Sequence, residues 1–249
     1  MIRDLVDMRV LGAVRLIDPA TKMWIDAPLD VTSPGVKIIR NLHSAYVIAE
    51  APGFESYETS FQDQPATIPL QSRTVTLTIE DQKNYWLART VDVKLPRDPD
   101  PKKYDQPASL FQAIEVPVYP SPIARRAPGV ALLRVSVKQN GTSVGLGNAL
   151  LRVTAASDGS LLARGLADDR GEALVMVPGL KVMTWDTSGG NAVLASTTAA
   201  KVTAIWDPSA VAPVNPDDLE ANMATLKTGV ADAQLAPGQE QPVLVNVTV

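Results

Sequence analysis

The segment ALLRVSVKQNG, residues 131–141, begins the stretch that decides the fold, and NALLRVTAASDG (148–159) and LLARGLADDRGEALVMVPG (161–179) follow it. In the first segment, Leu133 and Val135 alternate with polar neighbours. This alternation predicts a strand with one apolar and one solvated face, because successive side chains of a strand point to opposite sides. The whole stretch is therefore predicted to form strands that cover a core.

Turns that contain glycine separate these strands. Asn140-Gly141 is the strongest short hairpin signal, because both residues tolerate a positive φ. Further turns are predicted at Asp158-Gly159, Asp169-Arg170-Gly171 and Pro178-Gly179. Short alternating strands between such turns are typical of a β-sandwich, so we predict an all-β, immunoglobulin-like fold.

The first half of the chain carries the same kind of pattern. Between residues 74 and 79, threonines alternate with Val75, Leu77 and Ile79, which predicts a half-buried strand. Turn signals near residues 18, 34 and 52 are spaced much like those near 140, 158 and 178, so we interpret the two halves as duplicates of one fold. Further strands are predicted at 8–17, 29–31, 36–41, 45–49 and 85–95.

The chain after residue 179 combines strands with a helix signal. Asn215-Pro216-Asp217-Asp218 supplies a capping side chain, a proline at the first helical position and acids in the first turn. Apolar residues follow at helical spacing from Leu219 to Val230, so we predict one short helix near 216–230. Strands are predicted near 182–185, 193, 201–206 and 243–249.

A proline-rich arm separates the two halves. Eight prolines lie between Pro96 and Gly129, and proline fixes φ and lacks an amide donor, so little regular structure is expected there. We predict a β-sandwich domain at 1–95, the arm at 96–129 and a second β-sandwich domain at 130–249. The arm is too apolar for a solvated tether, so packing on its own domains and binding of a partner are both open. The predicted partner-binding residues are Leu110, Phe111, Ile114, Val116, Val118 and Tyr119.

Composition and charge exclude several classes of function. The chain has 249 residues, of which 45% are hydrophobic and 20% charged, as in ordinary globular proteins. Its net charge of −4 argues against nucleic-acid binding, which needs a basic surface. The absence of cysteine excludes disulfides, zinc–thiolate sites and thiol catalysis. No apolar run approaches the ~20 residues that cross a bilayer, and charges from Arg3 onward interrupt a signal peptide, so we expect cytoplasmic synthesis without membrane insertion.

No group of residues predicts catalysis. His43 is the only histidine, which rules out a two-histidine metal site, and no G-x-S-x-G motif accompanies it. Asp168, Asp169 and Glu172 form the densest acidic cluster, for which a calcium site or a carboxylate pair are the functional interpretations. A β-turn built by Asp169 and Gly171 explains the same residues and is favoured. We predict no catalytic, cofactor-binding or metal-binding residues and no enzymatic activity.

The second half resembles a known family of accessory modules. ALLRVT (149–154), DDRGEA (168–173) and VPG (177–179) are similar to carboxypeptidase-regulatory-like (transthyretin-like) β-sandwich modules, in which an acidic turn with glycine precedes a strand that ends in Pro-Gly. The resemblance spans residues 131–179 and implies a fold. It implies no activity, because such modules are mostly accessory.

The layout of the whole chain resembles accessory proteins of phage-tail-like contractile injection systems. The resemblance rests on YWLARTVDVKLPRDP (85–99) and VPVYPSPIARRAPG (116–129). It implies a structural component, such as a cap, baseplate or decoration protein, whose partners are other subunits of a large assembly or further copies of this chain. Such a particle can be released from the cell. The alternative is a carbohydrate- or surface-binding module that uses Trp24, Trp86, Trp185 or Trp206, although tryptophans in sandwiches are more often packing anchors.

Overall fold

The chain is nearly all β, as predicted, in a computed structural model that describes residues 10–55, 72–125, 127–180 and 197–249. It forms two compact units, and each unit takes residues from more than one stretch of the chain. Unit 1 lies within Met1–Ile17, Met23–Gln82 and Thr90–Pro117, and unit 2 within Asp18–Lys22, Lys83–Arg89 and Val118–Val249. The sequence-based boundaries at residues 95 and 129 stay a prediction.

Unit 1 contains a four-stranded and a three-stranded sheet. Its strands are β1 (Gly12–Ile17), β2 (Asp30–Thr32), β3 (Lys37–Arg40), β4 (Ala45–Glu50), β5 (Arg73–Glu80), β6 (Arg89–Leu95) and β7 (Ile114–Pro117). The strand orders are β3-β4-β1-β7 and β2-β5-β6. The alternation predicted for β5 is confirmed at Leu77 and Ile79, which are buried. Pro117 ends β7 at a sheet edge, where a missing amide donor is tolerated.

Unit 2 is a β-sandwich. Its strands are β8 (Ala131–Gln139), β9 (Leu150–Ala155), β10 (Leu161–Leu166), β11 (Glu172–Val177), β12 (Thr198–Trp206), β13 (Lys227–Leu235) and β14 (Glu240–Val247). The sheet β10-β9-β12-β13 faces the sheet β11-β8-β14 across one core of small and β-branched residues, among them Val135, Val153, Val202 and Val245. The short helix α1 (Pro216–Ala221) joins β12 to β13.

The two units share a strand order, which supports the interpretation of a duplication. In each unit the first strand pairs antiparallel with the fourth and parallel with the last, as β1 does with β4 and β7 and β8 does with β11 and β14. The second, fifth and sixth strands adjoin in the other sheet, as β2-β5-β6 and as β9-β12-β13. The third strand differs, because β3 pairs with β4 whereas β10 pairs with β9.

Two sequence interpretations of local structure need correction. The Asn140-Gly141 turn makes only a short antiparallel return, in which Lys138 bridges Gly145 and the Gln139 amide donates to the Val144 carbonyl at 2.9 Å. The next strand, β9, lies in the opposite sheet from β8. The strand predicted at 85–95 begins only at Arg89. The residues before it lie in unit 2, where Trp86 forms an antiparallel bridge with Pro120.

The predicted helix is present but shorter than its apolar spacing indicated. Asn215 caps α1 and accepts a hydrogen bond from the amide of Asp217, and Pro216 takes the first position, as predicted. The helix ends at Ala221, and Val230 lies on the exposed face of β13. Val230 is the first apolar residue of β13, and its distance in sequence from Leu226 happens to equal the spacing of one helical turn. The strands predicted near 182–185 and 193 fall outside the described residues.

Candidate functional site

The six predicted partner-binding residues have very different environments. Val116, Val118 and Tyr119 are buried, and Leu110 and Ile114 are partly buried. Phe111 alone is largely exposed, with 58% of its surface accessible. Contact with a partner therefore stays a prediction, and Phe111 is the residue of the six that a partner could reach most easily.

Phe111 lies on an ordered loop of unit 1, residues 98–112, which we call the aromatic loop. The backbones of Asp98 and Leu110 close it, because the Leu110 amide donates to the Asp98 carbonyl at 2.8 Å and the Asp98 amide donates to Ala108 at 3.0 Å. Inside the loop, a turn of 3₁₀-helix spans Pro101–Lys103. Residues 98–100, where acids alternate with a proline, are thus part of a closed loop.

The side chain of Asp98 holds the first turn of the aromatic loop. It accepts hydrogen bonds from the amide of Asp100 at 3.0 Å and from Nζ of Lys103 at 2.8 Å. The Lys103 bond, followed by the amide bond, lowers the pKa of Asp98, and the same contact raises the pKa of Lys103. The loop is therefore a defined structure at neutral pH although it carries three prolines, Pro99, Pro101 and Pro107.

Two exposed aromatic rings are displayed by this loop. Tyr104 exposes 63% of its surface, and Nε2 of Gln112 donates to the Tyr104 carbonyl at 2.9 Å, which ties Tyr104 to the segment that carries Phe111. Ser109 is fully buried beneath them, and its Oγ accepts from the Phe111 amide at 3.2 Å. The loop thus presents two aromatic side chains on a hydrogen-bonded frame.

The acidic cluster of unit 2 is a turn, as favoured, but a different residue builds it. Asp168, not Asp169, is the anchor: its Oδ1 accepts from the amides of Arg170 and Glu172, both at 2.9 Å. Its Oδ2 accepts from the Arg170 guanidinium at 2.8 Å. Gly171 has φ +83°, the left-handed conformation that glycine adopts in turns without steric cost. Among the described residues no group of three or more acids or histidines is arranged to hold a metal.

His43 lies exposed in the turn between β3 and β4. Its backbone amide donates a hydrogen bond to Oδ1 of Asn41 at 2.9 Å. The same oxygen accepts from the amide of Ala45 at 2.9 Å. The turn is therefore built by Asn41 and makes no use of the imidazole.

A second candidate surface surrounds Trp86 in unit 2, and we call it the Trp86 groove. Residues 84–87 run antiparallel to 119–121: the Leu87 amide donates to the Tyr119 carbonyl and the Ser121 amide to the Tyr85 carbonyl, both at 2.9 Å. Leu87 and Tyr119 pack into a cluster that covers the outer face of the four-stranded sheet. The alternate residue Trp86 lies on the other side of this ladder, where it is half-buried.

Trp86 lies between two hollows. One has a volume of about 530 Å³ and is lined by Trp86, Asn84, Ile123, Asn148, Asp169 and Pro213, among others. The other, of about 350 Å³, is lined chiefly by apolar groups, including Trp86, Tyr85, Pro120 and Met176. Both volumes fall in the range of small-molecule sites.

Arg89 anchors the ladder to helix α1. Its side chain is fully buried, and its Nη2 donates to Oδ2 of Asp217 at 2.6 Å. Burial raises the pKa of Tyr119 to about 12, although the Arg89 charge acts in the opposite direction. The guanidinium lies 6.0 Å from the Tyr119 ring centroid. The phenol therefore stays neutral in this cluster at physiological pH.

Sequence reasoning missed the aromatic loop and the Trp86 groove as surfaces. Tyr104 stands among prolines and charges that resembled a linker, and no local pattern marked it. The residue type of Asn84 and Asn148 was the one usable signal for the groove, because asparagine adopts the left-handed backbone conformation more readily than most residues. Both residues do have a positive φ. Nothing in the sequence pairs residues 84–87 with 119–121.

No helix in the described ranges is long and apolar enough to span a membrane. No protein-family model and no curated protein matches this chain. Among solved structures, the Bacillus anthracis TIE protein shares 9% identity over 96% of this chain and 34% of its own length, at a TM-score of 0.30. A double mutant of shaft pilin SpaA from Lactobacillus rhamnosus GG shares 10% identity over 71% of this chain and 63% of the pilin, at a TM-score of 0.27.

A further mutant of the same pilin has 12% identity and a TM-score of 0.22. The chain thus spans 34% of the TIE protein's length and 63% of each pilin's. TM-scores this low carry no functional information, so the function is argued from the residues of this chain alone.

Proposed function

We propose that this protein is a non-enzymatic assembly subunit that binds other protein subunits through the aromatic loop of unit 1. The observation that carries the proposal is the exposure of Tyr104 and Phe111 on a hydrogen-bonded loop. Exposed aromatic rings on an ordered frame are typical of interface hot spots, since they bury much area at a small entropic cost. The network around Asp98 provides that frame before binding.

The partner we propose is a neighbouring subunit of a large particle. The resemblance in residues 85–99 and 116–129 supports a phage-tail-like contractile injection particle as that assembly, with this chain as a cap, baseplate or decoration protein. The charge around the loop supports a protein partner, because it is of both signs: Asp98, Asp100 and Asp105 lie among Lys102 and Lys103, and Lys103 pairs with Asp98. An aromatic patch with a rim of mixed charge matches a protein interface.

Co-purification of variants with the native particle tests this proposal. Serine replaces Tyr104 and Phe111 together, and the matched control is Leu42→Ser, which removes a fully exposed apolar side chain from another turn of unit 1. We expect the double variant to leave the particle fraction with an unchanged melting temperature, while the control stays in it. Electron microscopy and mass spectrometry identify the particle and its subunits. A wild-type protein found only free in its native cells would contradict the proposal.

A further inference from the structure

We infer that the Trp86 groove of unit 2 binds a neutral saccharide. This inference is independent of the assembly function, because it concerns unit 2 and none of the residues of the aromatic loop. It rests on three observations: an aromatic ring shared by two hollows, side-chain amides at the rim that bond no other described residue, and the absence of a dominant charge among the described residues of the lining. Each corresponds to one property of a sugar.

The indole of Trp86 matches the apolar face of a sugar ring. Pyranose rings present a face of axial C–H bonds, which pack on the electron-rich face of an aromatic ring. Because Trp86 lines both hollows, a chain of sugar units can rest on the indole and extend to either side. Tyr85, which is 44% exposed, adds a second ring in the smaller hollow.

Two asparagines provide the polar recognition that hydroxyl groups require. Asn84 and Asn148 line the larger hollow, and both hold the left-handed backbone conformation, with φ of +57° and +60°. Within the described part of the chain, neither side-chain amide makes a hydrogen bond. An amide offers a carbonyl acceptor and an NH₂ donor side by side, which suits a hydroxyl that both donates and accepts.

These amides are held in place by their backbones. Oγ of Ser121 donates to the Asn84 carbonyl at 2.5 Å, and the Asn148 amide donates to the Asp168 carbonyl at 3.1 Å. The second bond attaches Asn148 to the acid turn, which also places the carboxylate of Asp169 at the rim. Left-handed backbone conformations of non-glycine residues cluster at binding sites, and two of the four in the described residues line this hollow.

The charge of the lining favours a neutral ligand. In the larger hollow the carboxylate of Asp168 is already bonded to Arg170, which leaves only Asp169 as a further charge. In the smaller hollow, Asp18 and Arg125 carry opposite charges. A phosphate or sulfate would need a surplus of cationic donors. A proline-rich peptide fits the aromatic rings but has few N–H groups for the asparagine and aspartate oxygens.

A glycan microarray that carries neutral and sialylated oligosaccharides, with a proline-rich peptide on the same slide, tests the inference. We expect the wild-type protein to bind neutral glycans, and we expect calorimetry with the best neutral oligosaccharide to give a saturable isotherm. Trp86→Ala should weaken this affinity by about tenfold or more, since stacking and burial of one ring are lost. Trp24→Ala, which removes a half-exposed tryptophan from unit 1, should not change it.

Asn84→Gly and Asn148→Gly keep the inference testable if Trp86→Ala fails to fold. Glycine accepts the positive φ of both positions and deletes only the amide, so each variant should weaken binding about three- to tenfold at an unchanged melting temperature. Three results would each overturn the inference. The wild type binds no glycan; it binds only sialylated glycans or only the peptide; or all three groove variants keep full affinity. None of these results bears on the aromatic loop, so the two proposals fail separately.

Discussion

Arg89 and Asp217 form an ion pair between residues 128 positions apart, with 2.6 Å between Nη2 and Oδ2. The guanidinium is fully buried, whereas the carboxylate is 57% exposed. The pair fastens the end of the segment 83–89 to the first turn of α1, and both residues belong to unit 2. A buried cation needs such a partner, because its transfer from water is otherwise costly.

Asp217→Asn should therefore destabilise the protein by about 1–3 kcal/mol, the range for loss of a charged hydrogen-bond partner, at the low end because solvent reaches the carboxylate. Asp218→Asn is the matched control. It removes the same charge from the same turn of the helix, but its exposed carboxylate accepts from Nδ2 of Asn215, at 2.9 Å, and not from a buried cation of the described chain. Thermal melts of the two variants decide the matter. Equal losses of stability would show that Asp217 stabilises the protein through the helix dipole and not through its ion pair with Arg89.

Gly171→Val should destabilise unit 2 more than Gly141→Val does. Both glycines have positive φ, at +83° and +75°, so each valine stores about 1–3 kcal/mol of backbone strain. At Gly171 a Cβ would also lie 2.6 Å from the Val137 carbonyl oxygen, whereas nothing lies within 4 Å of one at Gly141. Denaturant unfolding should place the Gly171 variant clearly below the Gly141 variant. If both lose the same stability, the close approach at Gly171 relaxes without cost.

His43→Ala should leave the melting temperature unchanged, while Asn41→Ala should lower it. The imidazole is exposed, but Oδ1 of Asn41 accepts two amide hydrogen bonds that hold the turn, from residues 43 and 45. Loss of these bonds should cost about 1 kcal/mol, as for a lost cap. Differential scanning calorimetry measures both. A loss for His43→Ala that matches the loss for Asn41→Ala would mean that the ring itself supports the turn.

The aromatic loop should loosen only in acid. Because the pKa of Asp98 is lowered from its ordinary value of 3.8, its carboxylate stabilises the loop at every pH above that value, and the stabilisation is lost as the pH falls through the folded-state pKa. Hydrogen exchange of residues 98–112 should therefore be constant in its protection from neutral pH to about pH 5 and fall in stronger acid. Asp98→Asn should show the loosened state already at neutral pH. Full protection in that variant would assign the frame to the backbone bonds alone.

The sequence predicted the parts of the fold that local patterns control. The inward valines of β8 and β14, the helix cap at Asn215 and the positive φ of Gly171 all follow from alternation, capping or turn chemistry within a few residues. The similar spacing of turns in both halves was visible in the sequence, and it agrees with the strand order that the two units share.

The rest depended on contacts between distant residues. Residues 85–88 have the composition of a strand that continues into β6, but their partner is 119–121, and no local pattern distinguishes the two pairings. The Asn140-Gly141 signal correctly indicated a turn with a short antiparallel return, but it could not show that β9 crosses to the opposite sheet. The Trp86 groove arises from such a distant pairing, so its residues could not be grouped beforehand. The aromatic loop is closed by nearer contacts, between Asp98 and Leu110, but no alternation or capping pattern in its sequence marks them.

The parallel pairing of first and last strands makes the order of synthesis important for this chain. The sheet of unit 1 that contains β1 can be completed once β7 has left the ribosome, whereas β8 must wait until β14 has been made. Residues 83–89, made long before, belong to unit 2 and must wait with it. During that interval Trp86 and Leu87 lack their final neighbours, which exposes apolar surface and favours aggregation. Slower elongation over residues 118–249 would therefore prolong the time during which residues 83–89 are exposed. A chaperone that covers residues 83–89 during this time would reduce aggregation.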